Sequence, residues 1–179
     1  MARHVRGFDR TLRHLGNGRH RCDAHQGAPL GSGRKRGAFT QAIGTSRGGR
    51  TTKLHGLTDG QGRPRVLQLS AGNINDMTMA ASLINAAGPF TRLLADRGYD
   101  TNAIRALVAA RGAEAVIPST ATRRAPIPYD RDAYRARNQV ERLWCRLKDW
   151  RRIATRYDKL AANYLSSALI AAIFTYWCN

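Results

Sequence analysis

The spacing of apolar positions changes near Arg50, and from there it predicts a regular order of strands and helices. Before Arg50 no period of 2 or 3.6 residues persists. After it, two alternating stretches joined by a Gly-rich turn at residues 59–62 predict a β-hairpin. The predicted strands are residues 51–58, 66–70, 91–95 and 113–117, and the predicted helices are residues 77–87, 101–111, about 131–150 and about 160–177. This order predicts a mixed α/β domain.

Composition limits the chain to one ordinary domain. It has 179 residues, of which 42% are hydrophobic, and this share is typical of a globular protein. The first fifty residues carry eleven Lys and Arg against two acids, and they are rich in glycine. Such a segment buries little apolar surface, so we expect residues 1–36 to be a poorly ordered basic segment and residues 37–179 to form the domain.

Charge indicates the class of partner. The formal net charge is +18, which favours a polyanion, with nucleic acid first and an anionic membrane second. The apolar run at residues 164–177 is too short to span a bilayer and predicts a buried helix instead. We expect no signal peptide, because Arg and His interrupt residues 1–21, and the three cysteines show no disulfide or zinc-ligand spacing. We therefore expect a cytoplasmic chain that has no membrane partner.

One stretch of the predicted helix at residues 131–150 carries a pattern with chemical meaning. Tyr134, Arg137, Glu141 and Lys148 follow each other at offsets of 3, 7 and 14 residues, which return to nearly the same side of a helix. Arg137 precedes Glu141 by four residues and can hold its carboxylate. Lys148 lies about 10 Å further along the axis, so it should reach a phosphate rather than Glu141. On pattern alone, a solvated basic helix is the simpler interpretation.

A second candidate is Asp96, directly after the predicted strand at residues 91–95. A carboxylate at the end of a buried strand is well placed for catalysis or ligand binding in α/β folds. A turn or helix-capping aspartate is the alternative interpretation, and it fits Asp100 better, because Asp100 directly precedes a predicted helix.

Together these elements resemble the DDE transposases of the insertion-sequence group that shares the Y-x2-R-x3-E-x6-K signature. Tyr134, Arg137, Glu141 and Lys148 match that signature without a gap, and Asp96-Arg97-Gly98-Tyr99 resembles the second-aspartate motif of the group. The resemblance extends from about Lys35 to the C-terminus, through QAIGTSRGGRTTK at residues 41–53 and LKDWRRIATRYDKL at residues 147–160.

The resemblance implies a ribonuclease H-like core, similar to that of retroviral integrases, with a mixed sheet and flanking helices. It implies metal-dependent DNA strand cleavage and strand transfer by three carboxylates that hold two Mg²⁺ ions. Asp96 and Glu141 would be catalytic metal ligands. Tyr134, Arg137, Lys148, Arg151 and Arg152 would contact or position the DNA, at the ends of the element and at its target. A homodimer on DNA and association with the nucleoid are further implications.

The first catalytic aspartate of this group is missing from its expected place. It normally lies on the opening strand of the core, a short way before the QAIG segment, in a motif such as Ile-Asp-x-Thr. No strand-like pattern precedes Gln41, although Asp23 stands at a suitable distance. We therefore expect a core that lacks its first strand and a chain that is inactive as written.

A shift of reading frame would explain this absence. Residues 19–33, RHRCDAHQGAPLGSG, can be written in synonymous codons that read AIDATHIKAHRSAA when the first nucleotide is dropped. The recovered aspartate codon lies across Arg21 and Cys22. The codons were chosen to obtain this result, so they show compatibility.

The alternative functions are a non-catalytic DNA-binding remnant and a regulatory basic protein that binds nucleic acid.

Overall fold

The computed structural model describes residues 12–21, 41–46 and 49–178, with only the backbone of 12–21 and of Ser46. Asp23 and its surroundings lie outside the described residues. The strands are β1 Leu12–Arg21, β2 Gly44–Ser46, β3 Gly49–Asp59, β4 Pro64–Ala71, β5 Arg92–Leu94 and β6 Glu114–Val116, and the helices are α1 Asp76–Ala86, α2 Asn102–Ala109, α3 Arg131–Arg135, α4 Asn138–Lys148, α5 Arg151–Ala154 and α6 Ala161–Trp177.

These strands form one mixed sheet in which β1 is central. β3 pairs antiparallel with β1 on one side and with β4 on the other, and short β2 pairs with the start of β3. β5 pairs parallel with β1, and β6 pairs parallel with β5, so helices make the crossovers. The predicted hairpin is confirmed as β3 and β4, and the mixed α/β class is confirmed with it.

The prediction that the sheet lacks its first strand is wrong. β1 runs from Leu12 to Arg21 and occupies the middle of the sheet. Its sequence, LRHLGNGRHR, has few apolar residues and no sustained alternation, so periodicity gave no signal. Backbone hydrogen bonds to β3 and β5 make this strand, and such bonds leave little trace in side-chain pattern. The domain boundary near residue 37 stays a prediction, and part of the segment before it contributes β1.

Helices cover both faces of the sheet. Alternate residues of β3 point to opposite faces: Leu57 packs with α1 and α2, and Leu54 packs with α4 and α6. On the second face, α4 lies directly on β3 at Gly56, where an added Cβ would come within 2.7 Å of the Trp144 ring. A glycine is therefore required there for the helix that carries Glu141 to approach the sheet.

The predicted helix at residues 131–150 is interrupted in the structure. α3 ends at Arg135 and α4 begins at Asn138, and the link is a tight turn in which the backbone N–H of Arg137 donates to the carbonyl of Tyr134. Ala136 and Arg137 keep right-handed helical dihedral angles. The direction of the chain therefore changes little, and the side chains of Tyr134 and Glu141 stay on one side.

The last helix, α6, presents large apolar side chains outward. Its inner face is built from Tyr164 and three alanines, all buried. Its outer face shows Leu169, Ile170, Ile173, Phe174 and Trp177, and Trp150 lies beside Phe174 with ring centroids 6.3 Å apart. This surface is called the α6 apolar face below. Among the described residues, no helix has the length and apolar content needed to cross a membrane.

Candidate active site

Asp96 stands where the central part of the sheet ends. Ala95 follows β5 and is fully buried, and the chain then turns outward so that the Asp96 side chain is about half exposed, at 51%. The backbone carbonyl of Asp96 accepts a hydrogen bond from Tyr99 in the next turn, and its carboxylate takes no part in capping that turn. The carboxylate is therefore free to face α4.

Glu141 faces Asp96 from the first turn of α4, and Arg137 joins them. One nitrogen of Arg137, Nη1, lies 2.9 Å from Glu141 Oε1 and 3.0 Å from Asp96 Oδ1. Two carboxylates from distant parts of the chain thus meet at a single guanidinium. The expected closeness of Asp96 and Glu141 is present in the structure, together with a partner for Asp96 that the sequence did not indicate.

The groups around Arg137 stabilise its positive charge. Partial burial opposes the positive charge, but the carboxylate of Asp96 and the hydrogen bond to Glu141 outweigh it and raise the pKa of Arg137. The Tyr134 ring adds a cation–π contact, with the guanidinium carbon 5.8 Å from the ring centroid. Arg137 is therefore a fixed cation between two anions.

Tyr134 completes this group from α3. Its hydroxyl donates a hydrogen bond to Asp96 Oδ1 over 3.3 Å, and its ring meets Tyr129 edge to face at 5.5 Å. Burial, chiefly, and the nearby Asp96 carboxylate raise the pKa of Tyr134, so its hydroxyl stays protonated and keeps donating at neutral pH.

A cavity of about 300 Å³ opens beside this group. Its apolar wall is formed by Tyr99, Val140 and Trp144, and its polar wall by Asp96, Arg137, Glu141, Cys145 and Lys148. Cys145 was not singled out from the sequence. Its spacing of four residues from Glu141 would have placed it on the same side of a helix.

Of the three remaining cations predicted to contact DNA, only Lys148 lines the cavity. Arg151 is exposed at the start of α5. Arg152 is 64% exposed, but its guanidinium binds the carboxylate of Asp158 at 2.7 and 3.1 Å, and this hydrogen bond raises the pKa of Arg152. Arg152 therefore carries a charge that is already partly balanced, which the sequence interpretation did not foresee.

Asp100 has a different role from the helix cap that its position indicates. Thr101 caps α2, with its side chain accepting from Ile104 N. The Asp100 carboxylate is fully buried and accepts from Arg105 at 2.7 Å, from Arg123 at 2.9 Å and from Thr120 N at 2.8 Å. Burial disfavours the charged form, but these donors prevail and hold the pKa of Asp100 well below its ordinary value. Asp100 thus anchors the loop at residues 118–129 to the end of the sheet.

Two carboxylates, Asp96 and Glu141, meet in the part of the site that the structure describes. Among the residues that the structure describes, no three His, Cys, Asp or Glu side chains form a metal-binding cluster. β1 pairs with β5, the strand that precedes Asp96, and contains no acid. The described carboxylates alone therefore do not fit a pair of divalent cations.

Comparison with known proteins shows the family. The family model described as "Transposase DDE domain" matches residues 27–176. The chain belongs to the DDE transposase family. The reactions of this family are DNA cleavage and strand transfer.

Two relatives agree with the assignment to this transposase family. The chain is 32% identical over 122 residues to a Brucella ovis protein named "Putative transposase for insertion sequence element IS6501", with 68% of this chain and 94% of that protein covered. It is 34% identical over 121 residues to a Burkholderia cepacia protein named "Putative transposase for insertion sequence element IS402", with 62% and 55% covered. The chain thus spans about half the length of the second relative. No solved structure matches.

Proposed function

We propose that this chain is the catalytic domain of an insertion-sequence transposase that binds DNA but does not cut it. The observation that carries the proposal is the meeting of Asp96 and Glu141 at Arg137, beside a β1 strand that contains no carboxylate. The first feature supports the family's site, and the second leaves the described part of that site with two of its three acids.

The proposed fold is ribonuclease H-like. Its support is the mixed sheet, with the first long strand in the middle and helices on both faces. In a fold of this kind, Asp96 at the end of β5 and Glu141 on the facing helix are the expected positions of the second and third acids.

The proposed ligand is duplex DNA, held mainly through its phosphates. Tyr134 and Arg137 lie at the carboxylate pair, Lys148 lines the adjacent cavity, and Arg151 and Arg152 extend the basic surface beyond α4. Together with a net charge of +18, these residues favour strong binding that tolerates many sequences. The ends of the element and the target DNA, in the bacterial nucleoid, are the natural substrates of such a surface.

Magnesium ions are the cofactor of an intact site in this family, and Asp96 and Glu141 would be the ligands in this chain. Mg²⁺ requires near-octahedral oxygen coordination at about 2.0–2.1 Å. Two carboxylates that already share a guanidinium do not supply that coordination for two ions. We therefore derive no cleavage step for this chain.

The test measures binding and cleavage on the same preparation. Fluorescence anisotropy with a labelled duplex of the element's end should show binding without metal, and gels after incubation with Mg²⁺ should show uncut DNA. A version whose frame is corrected upstream of Gln41 should cut. Cleavage by the 179-residue chain, abolished by Asp96→Asn, would contradict the proposal and point to Asp23 as a working first acid. Absence of DNA binding would also contradict the proposal.

A further inference from the structure

We propose that Arg137 takes the place of the metal ions in this chain, so that Asp96 and Glu141 form a salt-bridge clasp between the sheet and α4. This inference rests on the proposed function, because it concerns the same two carboxylates. The clasp is the group Tyr134, Asp96, Arg137 and Glu141.

The charges of the group are nearly balanced without a metal. Asp96 and Glu141 would repel each other at this separation, and the guanidinium of Arg137 lies within 3.0 Å of both. Lys148 adds a second cation to the same cavity. A divalent ion would therefore meet a site with little remaining negative charge.

Arg137 is held in place from more than one side. Its side chain is 21% exposed, while those of Asp96 and Glu141 are 51% and 60% exposed. The Tyr134 ring packs against its guanidinium, and the Tyr134 hydroxyl donates to the Asp96 oxygen that Arg137 also contacts. An incoming ion would have to displace this held cation before it could reach the carboxylate oxygens.

β1, the strand that pairs with β5, contains no acid. The described part of the site therefore holds two carboxylates, and the charges of Arg137 and Lys148 balance them.

Manganese binding tests the clasp directly. Mn²⁺ is added to the full chain without DNA, and the free ion is measured by electron paramagnetic resonance. The original chain should show no saturable site below millimolar Mn²⁺, and Arg137→Gln should bind at least about tenfold tighter, because two unpaired carboxylates then remain. Arg142→Gln, on the exposed side of the same helix, is the matched control and should behave like the original chain. Mg²⁺ should compete for the new site.

Two additional variants keep the inference testable if Arg137→Gln unfolds. Arg137→Met, which removes the charge and keeps an apolar stem against the Tyr134 ring, should also create a Mn²⁺ site, and Arg137→Met combined with Glu141→Gln should lose it again. Tight Mn²⁺ binding by the original chain, weakened by Arg137→Gln, would overturn the clasp and make Arg137 a positioning residue for a working metal site. Anisotropy without metal on the original chain separates the two proposals: absence of DNA binding contradicts the function, and the Mn²⁺ result alone decides the clasp.

Discussion

The hydroxyl of Tyr134 donates a hydrogen bond to Asp96 across 38 residues of sequence, over 3.3 Å. This bond joins the two stretches that the sequence singled out separately. The ring of Tyr134 contacts Arg137, so the hydroxyl binds one carboxylate and the ring packs against the guanidinium that joins Asp96 to Glu141.

Replacing Tyr134 should separate the contribution of its hydroxyl to stability from that of its ring. Tyr134→Phe removes one partly exposed hydrogen bond and should lower the free energy of unfolding by about 0.5–1.5 kcal/mol. Tyr134→Ala also removes the contacts with Tyr129 and Arg137, and it should cost about 1–2 kcal/mol more. Urea denaturation followed by circular dichroism measures both. Equal losses for the two variants would show that the ring contributes nothing.

The basic residues around α4 should differ in their effect on the salt dependence of DNA binding. Lys148→Ala and Arg151→Ala should each reduce the slope of log affinity against log salt by about 0.9, the value for one phosphate contact. Arg152→Ala should reduce it by less, because Asp158 already balances part of that charge. Anisotropy at several salt concentrations gives the slopes.

Arg111 provides the control for that series. It follows α2, the helix layer on the opposite face of the sheet, and it is exposed. Arg111→Ala should leave the slope unchanged. Equal effects at Arg111 and Lys148 would mean that DNA binds to the protein without a preferred face.

His55 should make the free energy of unfolding fall as the pH is lowered from about 6.5 to about 4. Its ring is fully buried and bonded to Ser70 Oγ at 2.7 Å, and burial lowers the pKa of His55 to about 4. In this window the unfolded chain binds the proton and the folded chain does not, so acidification favours unfolding. The loss should reach about 3 kcal/mol at most. Urea midpoints at stepped pH measure it, and His55→Gln should flatten the curve; an unchanged slope in that variant would exclude His55 as the cause.

Asp100 should control the free energy of unfolding in a separate pH range, below about pH 4. Its pKa is lowered in the folded chain, so its stabilising contribution is present above the unfolded value of about 3.9 and is lost as pH falls further. At neutral pH, Asp100→Asn leaves Arg105 and Arg123 without their buried partner and should cost about 3–5 kcal/mol. Thermal and urea unfolding measure both effects.

An exposed aspartate serves as the comparison for Asp100. Asp132 is 87% exposed and pairs with Arg135 at 3.5 Å, so Asp132→Asn should change stability by less than about 0.5 kcal/mol. Similar losses for Asp100→Asn and Asp132→Asn would show that the buried anchor adds no stability.

Side-chain pattern was sufficient to predict the elements that bury an apolar face. β3, β4, α1, α2 and α6 all lie within a few residues of their predicted bounds, because period and caps mark them. β1 could not be found in this way, since its place in the sheet depends on backbone pairing with neighbours far along the chain.

The sequence predicted that side chains of the site share one side of a helix, but it did not predict their ion pairs with distant residues. The helical spacing of Tyr134, Arg137 and Glu141 placed them on one side, and the structure agrees. That Arg137 also binds Asp96, and that Asp158 binds Arg152, depends on tertiary packing that brings distant residues together. Asp100 was misassigned for the same reason, because its three donors come from a helix and a loop that fold back onto it.

The α6 apolar face should make the free chain self-associate as the salt concentration rises. In dilute buffer the +18 net charge keeps separate copies apart despite their exposed tryptophans and isoleucines. Screening shortens that repulsion from about 10 Å at 0.1 M salt to about 3 Å at 1 M, while attraction between apolar surfaces persists. Salt that strips the protein from DNA therefore also brings it closer to precipitation, and light scattering should rise along the same titration that lowers the bound fraction.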